Sequence, residues 1–319
     1  MIRKDSIPKC SSEAEEAQWW DDHREETAEW MEQAVSAGQT STLSEILGRA
    51  RTRAAGARPS KGNLTMDELW TSIAAKKERL DELRPLSPRA LANLEHYYDI
   101  ELTYTSNAIE GNTLSPVETT LVIEKGITIS GKPLKDHLEA LDHYDAIRYV
   151  RELARQETPL TESDVRNLHK LVMQRSAPEI AGQYANLPRY VRTETGRHSF
   201  PSPAEVPALM KDFAGSLGTA PNTPETAFTA HRRLVDIHPF NDGNGRTARL
   251  LMNLILIRGG YPPVAVRPED RLEYIRSLAQ EQAGQAADRY YELLYKRLDA
   301  TLREYLSALQ EALPAEGSM

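Results

Sequence analysis

His238-Pro239-Phe240-Asn241-Asp242-Gly243-Asn244-Gly245-Arg246-Thr247-Ala248-Arg249 is the stretch whose reading fixes the rest of the chain. Before it, Thr223 to Ile237 has helical spacing, with Ala227, Ala230 and Leu234 on one face. Pro239 lacks an N–H and disfavours helical geometry at its predecessor, so His238 is expected where a helix stops. Phe240 can anchor the loop by burying its ring. Gly243-Asn244-Gly245 permits a tight turn, and a second helix is expected from near Arg246. The free N–H groups at that start form an anion site. Arg246, Arg249 and Asn253 fall on one face of the second helix.

Taken singly, the pieces read as a helix cap, a turn and a solvated arginine face. Together they read as a phosphate site. The Gly243-Asn244-Gly245 amides and the Asn244 side chain suit a phosphate, and Arg246 and Arg249 supply forked donors. Asp242, the only carboxylate of the loop, suits a Mg²⁺ shared with phosphate oxygens. His238 can take a proton from an attacking hydroxyl. The implied step is in-line attack on phosphorus. No Gly-x-x-x-x-Gly-Lys-Ser/Thr loop offers another phosphate site.

The twelve residues fit HPFx(D/E)GNGRxxR, and on them the chain resembles the Fic family (the Fic/Doc, or Fido, fold) from near Leu91 to near Leu309. The resemblance implies an all-α, Fido-type helical core with a small β-hairpin flap. It implies a protein adenylyltransferase (AMPylator), with ATP as donor, Mg²⁺ as cofactor and a Ser, Thr or Tyr hydroxyl of a protein as acceptor. His238 would be the general base and Asp242 the metal ligand. Gly243, Asn244 and Gly245 would form the anion hole, Arg246 and Arg249 would hold phosphates, and Asn253 would approach the adenine. A different donor, or removal of AMP, stays open on the same fold.

Ser106-Asn107-Ala108-Ile109-Glu110-Gly111-Asn112 is similar to the family's inhibitory pattern (S/T)xxxE(G/N), in the class whose inhibitory helix precedes the catalytic core. The resemblance implies that Glu110, four residues from Ser106, pairs with Arg249 and misdirects the triphosphate. The alternative is an ordinary helix end with a solvated Glu110.

Tyr190 to Thr193 and Arg197 to Phe200 flank Glu194-Thr195-Gly196 and predict a hairpin. By resemblance it is the flap, which would hold a target protein as an added strand, with His198 a candidate contact. Ala185 follows Tyr184 where many relatives carry Arg. Tyr261-Pro262-Pro263 reads as the border of an adenine pocket or as a plain turn.

Farther out, Ser12 with Glu15 and Thr65 with Glu68 read as capping boxes, and Ser87, Ser115 and Thr223 each precede a proline at a helix start. Gly126 is expected to end a helix. Leu138, Leu141, Ile147 and Val150 keep helical spacing across 134–153, and residues from Tyr274 to Leu309 predict two closing amphipathic helices. The implied divisions are an N-terminal helical segment (1–47), a basic linker (48–62), N-terminal helices with the inhibitory helix (63–155), a Fic core with closing helices (156–312) and a tail (313–319).

Ser11 to Trp20 resembles the start of small antitoxin-like proteins, so a toxin–antitoxin binding role is the reading of another class. The arginines at 49, 51, 53 and 58 suit DNA in that reading and a solvated linker otherwise. A net charge of −8 gives no overall drive toward nucleic acid or membrane. Cys10 is the single cysteine, which excludes an intrachain disulfide. Met1 to Pro8 carries no apolar signal core, and no apolar run approaches the roughly 20 residues of a membrane span. The expectation is a cytoplasmic protein with a protein target, in which self-AMPylation and a homo-oligomer are open.

Overall fold

Capping chemistry sets where the helices begin. Thr65 opens α1 (Met66–Glu82): its hydroxyl accepts from the Glu68 N–H while the Glu68 carboxylate accepts from the Thr65 N–H. Ser115 with Glu118 does the same for α3 (Pro116–Lys125), which Gly126 ends in the left-handed conformation. Thr161 with Asp164 caps α5 (Glu162–Met173), and Thr223 caps α7 (Pro224–Ile237). The capping signals at Thr65, Ser115, Gly126 and Thr223 therefore act as read from the sequence.

The computed structural model describes residues 64–84, 86, 88–193, 196–284 and 288–312. The Ser12 and Ser87 caps, the antitoxin-like stretch, the basic linker and the tail lie outside the described residues. The remaining elements are α2 (Pro88–Ile109), α4 (Leu134–Ala154), β1 (Tyr190–Thr193), β2 (Gly196–Ser199), α6 (Val206–Leu217), α8 (Asn244–Arg258), α9 (Arg271–Gln282) and α10 (Asp288–Ala312). β1 and β2 pair antiparallel, Tyr190 opposite Ser199, as the hairpin reading requires. Among the described residues the fold is all-α apart from this hairpin and one isolated bridge, Tyr184 with Phe240.

α8 is the axis. Leu250 to Leu256 are all buried, so the helix has no solvent face over that stretch. It packs against α7, α4 and α5, and α10 closes the far side against α1. Tyr274, Leu278, Leu293, Leu294, Leu298, Leu302, Tyr305 and Leu309 are buried on the two closing helices, as their spacing predicts. These side chains belong to one apolar cluster that runs from Leu69 to Leu309. No described helix is long and apolar enough to cross a membrane.

α4 departs from the sequence reading. Ile147 and Val150 are buried as expected, but Leu138 and Leu141 are only partly so. The N-terminal half instead buries Asp136, His137, Glu139, Asp142 and His143. Buried charges need partners, and the carboxylates among these have them. Asp142 accepts from the Arg175 guanidinium and from the Arg175 and Ser176 N–H groups, and Asp136 accepts from Thr113.

Candidate active site

The loop between α7 and α8 is held open by its own side chains. His238 is the C-cap of α7, in the left-handed region at φ 48°, and is the sole non-glycine with positive φ among the described residues. A β-substituted residue in that region is strained, and such strain concentrates at working sites. Phe240 is buried and stacks on His169 of α5 with ring centroids 3.7 Å apart. His169 Nδ1 accepts from the Gly182 N–H (2.9 Å), so Nε2 carries the proton and donates to the Asp242 carbonyl (3.0 Å). Burial holds His169 neutral by lowering its pKa to about 4. His169 is a loop buttress that the sequence reading did not single out; its place on the apolar face of α5, with Val165, Leu168 and Val172, concealed it.

Asn244 has a different role from the one expected. Its Oδ1 accepts from the Phe240 N–H (2.9 Å) and its Nδ2 donates to the Phe240 carbonyl (2.8 Å), so the side chain shapes the loop. Gly243 caps α8 in the left-handed region, and the helix begins at Asn244, two residues before Arg246, near where the sequence places it. A Cβ on Gly243 would lie 2.8 Å from Met173 Sδ; one on Gly245 would lie 2.5 Å from Glu110 Oε1. Gly243 is therefore favoured by its left-handed backbone as well as by close approach, and Gly245 by close approach alone.

The two arginines have separate surroundings. Arg249 Nε donates to Ser106 Oγ (2.9 Å), and Nη2 donates to the Ser106 carbonyl (3.0 Å) and to Glu110 Oε1 (2.7 Å). Burial alone would lower the Arg249 pKa, but Glu110 and Tyr274 turn the net shift upward. The reading of Glu110 as a freely solvated helix end is thus replaced by an ion pair. Arg246 is 2% exposed; its Nη1 lies 3.2 Å from Glu139 Oε1 and its Nη2 3.6 Å from Asp242 Oδ1. Its Nε and Nη1 have no hydrogen-bond acceptor, an unusual state for buried donors and one that an anion would relieve.

Behind Arg249 runs a polar chain. Tyr290 O–H donates to the Phe228 carbonyl (3.0 Å), so it accepts from His231 Nδ1–H (2.7 Å). His231 Nε2 then accepts from the Tyr274 hydroxyl (2.7 Å), which in turn hydrogen-bonds Arg249. Burial, and then the Arg249 charge, lower the His231 pKa to about 3, in keeping with this single arrangement of protons.

His238, Glu110, Gly245, Arg249 and Tyr274 line one pocket of about 580 Å³. α9 supplies its apolar wall with Leu272, Ile275, Leu278 and Ala279. His238 Nδ1 lies 3.3 Å from the Val235 carbonyl, which only accepts, so the proton sits on Nδ1 and Nε2 is left basic. Burial lowers the His238 pKa to about 4, with Arg189 adding to the shift and Glu110 and Asp242 opposing it. Asp242 keeps 56% of its side chain exposed, and Oδ1 accepts from the Gly243 N–H. Among the described residues no group of three or more His, Cys, Asp or Glu could hold a metal. One accessible carboxylate nevertheless fits a Mg²⁺ that takes its remaining ligands from phosphates and water.

The expectation for Asn253 is corrected. Asn253 does not reach the pocket: it is buried, donates to the Val264 carbonyl (3.0 Å) and accepts from the Val264 N–H (2.7 Å). Of the two readings kept for Tyr261-Pro262-Pro263, the pocket border is not favoured: the segment is absent from this pocket's lining, and Lys77 sits over the Tyr261 ring. Beside Ala185, whose N–H donates to the Pro239 carbonyl (2.8 Å), Tyr184 donates to Glu162 (2.7 Å). His198 of β2 lies edge-on to Phe200 at 5.1 Å.

Residues 159–256 match the Fic/DOC family. The chain is 36% identical over 213 residues to the protein adenylyltransferase fic-1 of Caenorhabditis elegans, covering 65% of this chain and 41% of that protein. It is 33% identical over 247 residues to the protein adenylyltransferase Fic of Nematostella vectensis, covering 76% and 56%. The chain thus spans about half the length of the curated relatives it matches. Among solved structures, Fic-1 (residues 134–508) of C. elegans aligns with a TM-score of 0.66 at 31% identity, covering 76% of this chain and 71% of that one. A Fic domain containing signaling protein of Bacteroides thetaiotaomicron aligns with a TM-score of 0.68 at 30% identity, covering 77% and 100%.

Proposed function

Since the chain belongs to the Fic/DOC family, we propose that it is an autoinhibited protein adenylyltransferase, which moves AMP from ATP to a hydroxyl of a protein. The observation that carries this reading is the meeting of a basic imidazole nitrogen, a helix N-terminus and Arg249 at one pocket. A target hydroxyl gives its proton to His238 Nε2 as its oxygen bonds to the α-phosphorus; the bond to the β-phosphate oxygen breaks and pyrophosphate leaves. The amides of the first turn of α8 and the Arg246 donors that make no hydrogen bond suit the phosphate charge. Asp242 would hold Mg²⁺ against the phosphates, where the ion would neutralise their oxygens. The apolar wall from α9 suits a purine. Tyr190 and Val191 are exposed on β1 and offer an edge to an extended target segment.

Autoinhibition follows from charge occupancy. An Arg249 guanidinium already hydrogen-bonded to Glu110 and Ser106 has fewer donors for a terminal phosphate, so the triphosphate settles in a pose unsuited to in-line attack. Glu110→Gly frees the arginine and should raise AMP incorporation into the chain itself or a partner; adding His238→Ala should abolish it. Intact-mass spectrometry after incubation with ATP checks both. A Glu110→Gly protein that never gains the mass of one AMP, alone or with candidate targets, removes this reading.

A further inference from the structure

Phe200 lies flat on the imidazole of His238, with centroids 3.8 Å apart and planes 9° from parallel. It directly follows β2, and its N–H donates to the Arg189 carbonyl (3.1 Å), which ties it to the base of the hairpin. Phe200 is 8% exposed, and His198 meets its ring at 5.1 Å and 80°. Three rings therefore run in a row from β2 to the pocket. The one side-chain hydrogen bond of His238 among the described residues is that of Nδ1 with the Val235 carbonyl at 3.3 Å, a long and weak bond. The torsion that sets an imidazole plane is intrinsically broad. The strained backbone at φ 48° places Cβ, and packing must do the rest.

We propose that Phe200 is a positioning residue: its stacked ring sets the plane of the His238 imidazole and links that plane to the hairpin. For catalysis this rests on the reading of His238 as the base given above. A target segment that docks along the hairpin then bears on the imidazole through one aromatic contact. The charged groups facing His238 are Arg189 beside the hairpin, Glu110 after α2 and Asp242 of the loop, together with the Val235 carbonyl of α7. Removing Phe200 alters none of these charges. It takes away cover, and burial is the largest cause that holds the imidazole neutral.

The test uses the full-length Glu110→Gly protein as parent, with Phe200→Ala, Phe200→Leu and Phe200→Tyr added singly. Phe200→Ala should lower kcat for AMP transfer about tenfold, the rate equivalent of one aromatic pair, with KM for ATP unchanged. Phe200→Tyr should restore the rate, and Phe200→Leu, apolar but not flat, should stay low. A Phe200→Leu variant at the parental rate, or a Phe200→Ala variant with altered KM and unaltered kcat, overturns the proposal. NMR titration of the His238 imidazole, assigned by comparison with His238→Ala, reads the stack without turnover. The Phe200→Ala titration should move upward from about 4 toward the ordinary value. Superimposable titrations overturn the proposal even if rates differ. A parent that transfers nothing while the titration still moves removes the adenylyltransferase reading and keeps the stack.

Discussion

At the scale of single residues, asparagine separates what a motif announces from what a fold uses. Asn253 shares a helical face with Arg246 and Arg249, and the family resemblance implied an approach to the adenine. Both its polar atoms are instead spent on the Val264 backbone. Asn253→Ala would strand a buried N–H and a buried carbonyl, at a cost of about 1–3 kcal/mol. Urea unfolding should register that loss while calorimetric ATP affinity stays as it was; a preserved midpoint with weakened ATP binding would return Asn253 to the site. His238, Gly243, Gly245 and Arg249 were legible because their jobs depend on neighbours in the chain: a helix stop, two tight backbone positions and a helix face. Asn253, His169 and Phe200 do jobs set by partners outside their own turn of chain, whereas Asn244 clamps Phe240 four residues back. Nothing in local spacing distinguishes a buried asparagine that clamps a backbone from one that meets a ligand.

Elements show the same division. The capped starts of α1, α3 and α7 were readable because an N-cap hydrogen bond is complete within four residues. The first half of α4 was not, since a run of acidic and histidine side chains reads as a solvated face until its partners arrive. Those partners include the end of α2. Asn112 Nδ2 donates to the Asp136 carbonyl (3.0 Å) and to Glu139 Oε2 (3.1 Å), while Asp136 accepts from the Thr113 N–H and hydroxyl. Arg271 Nε adds a bond to the Ile109 carbonyl (2.7 Å). α4 and α9 thus hold the segment that aims Glu110 at Arg249. Loosening it should weaken the ion pair without touching the pocket. Asp136→Ala should raise basal AMP incorporation roughly fivefold, the equivalent of about 1 kcal/mol, and by less than Glu110→Gly does. An unchanged or reduced rate of labelled-ATP incorporation would mean that Glu110 is aimed by α2 alone.

Across the whole molecule, the candidate site is built on buried imidazoles. His143 and His231 are held at about 3, and His169 and His238 at about 4, in every case chiefly by burial. For His143 and His231 the Arg249 charge adds to the effect. All four are harder to protonate folded than unfolded, where an imidazole titrates near 6.5. Unfolding therefore takes up protons once the pH drops below that value. Their contribution to stability is fully present above about 6.5 and is lost as the pH falls toward the folded values, by up to about 1.4 kcal/mol per pH unit for each imidazole. These four sit on α4, α5 and α7 around α8, so the loss strikes the helix that carries the phosphate residues. The urea midpoint should be level between pH 8 and 7 and then fall steadily from pH 6.5 to 5. His231→Asn and His143→Asn should each flatten that fall, because each removes one proton from the difference between the two states. A midpoint that holds constant down to pH 5 would mean that these imidazoles bind protons as readily in the folded chain as in the unfolded one, and the neutral polar chain behind Arg249 would fail with it.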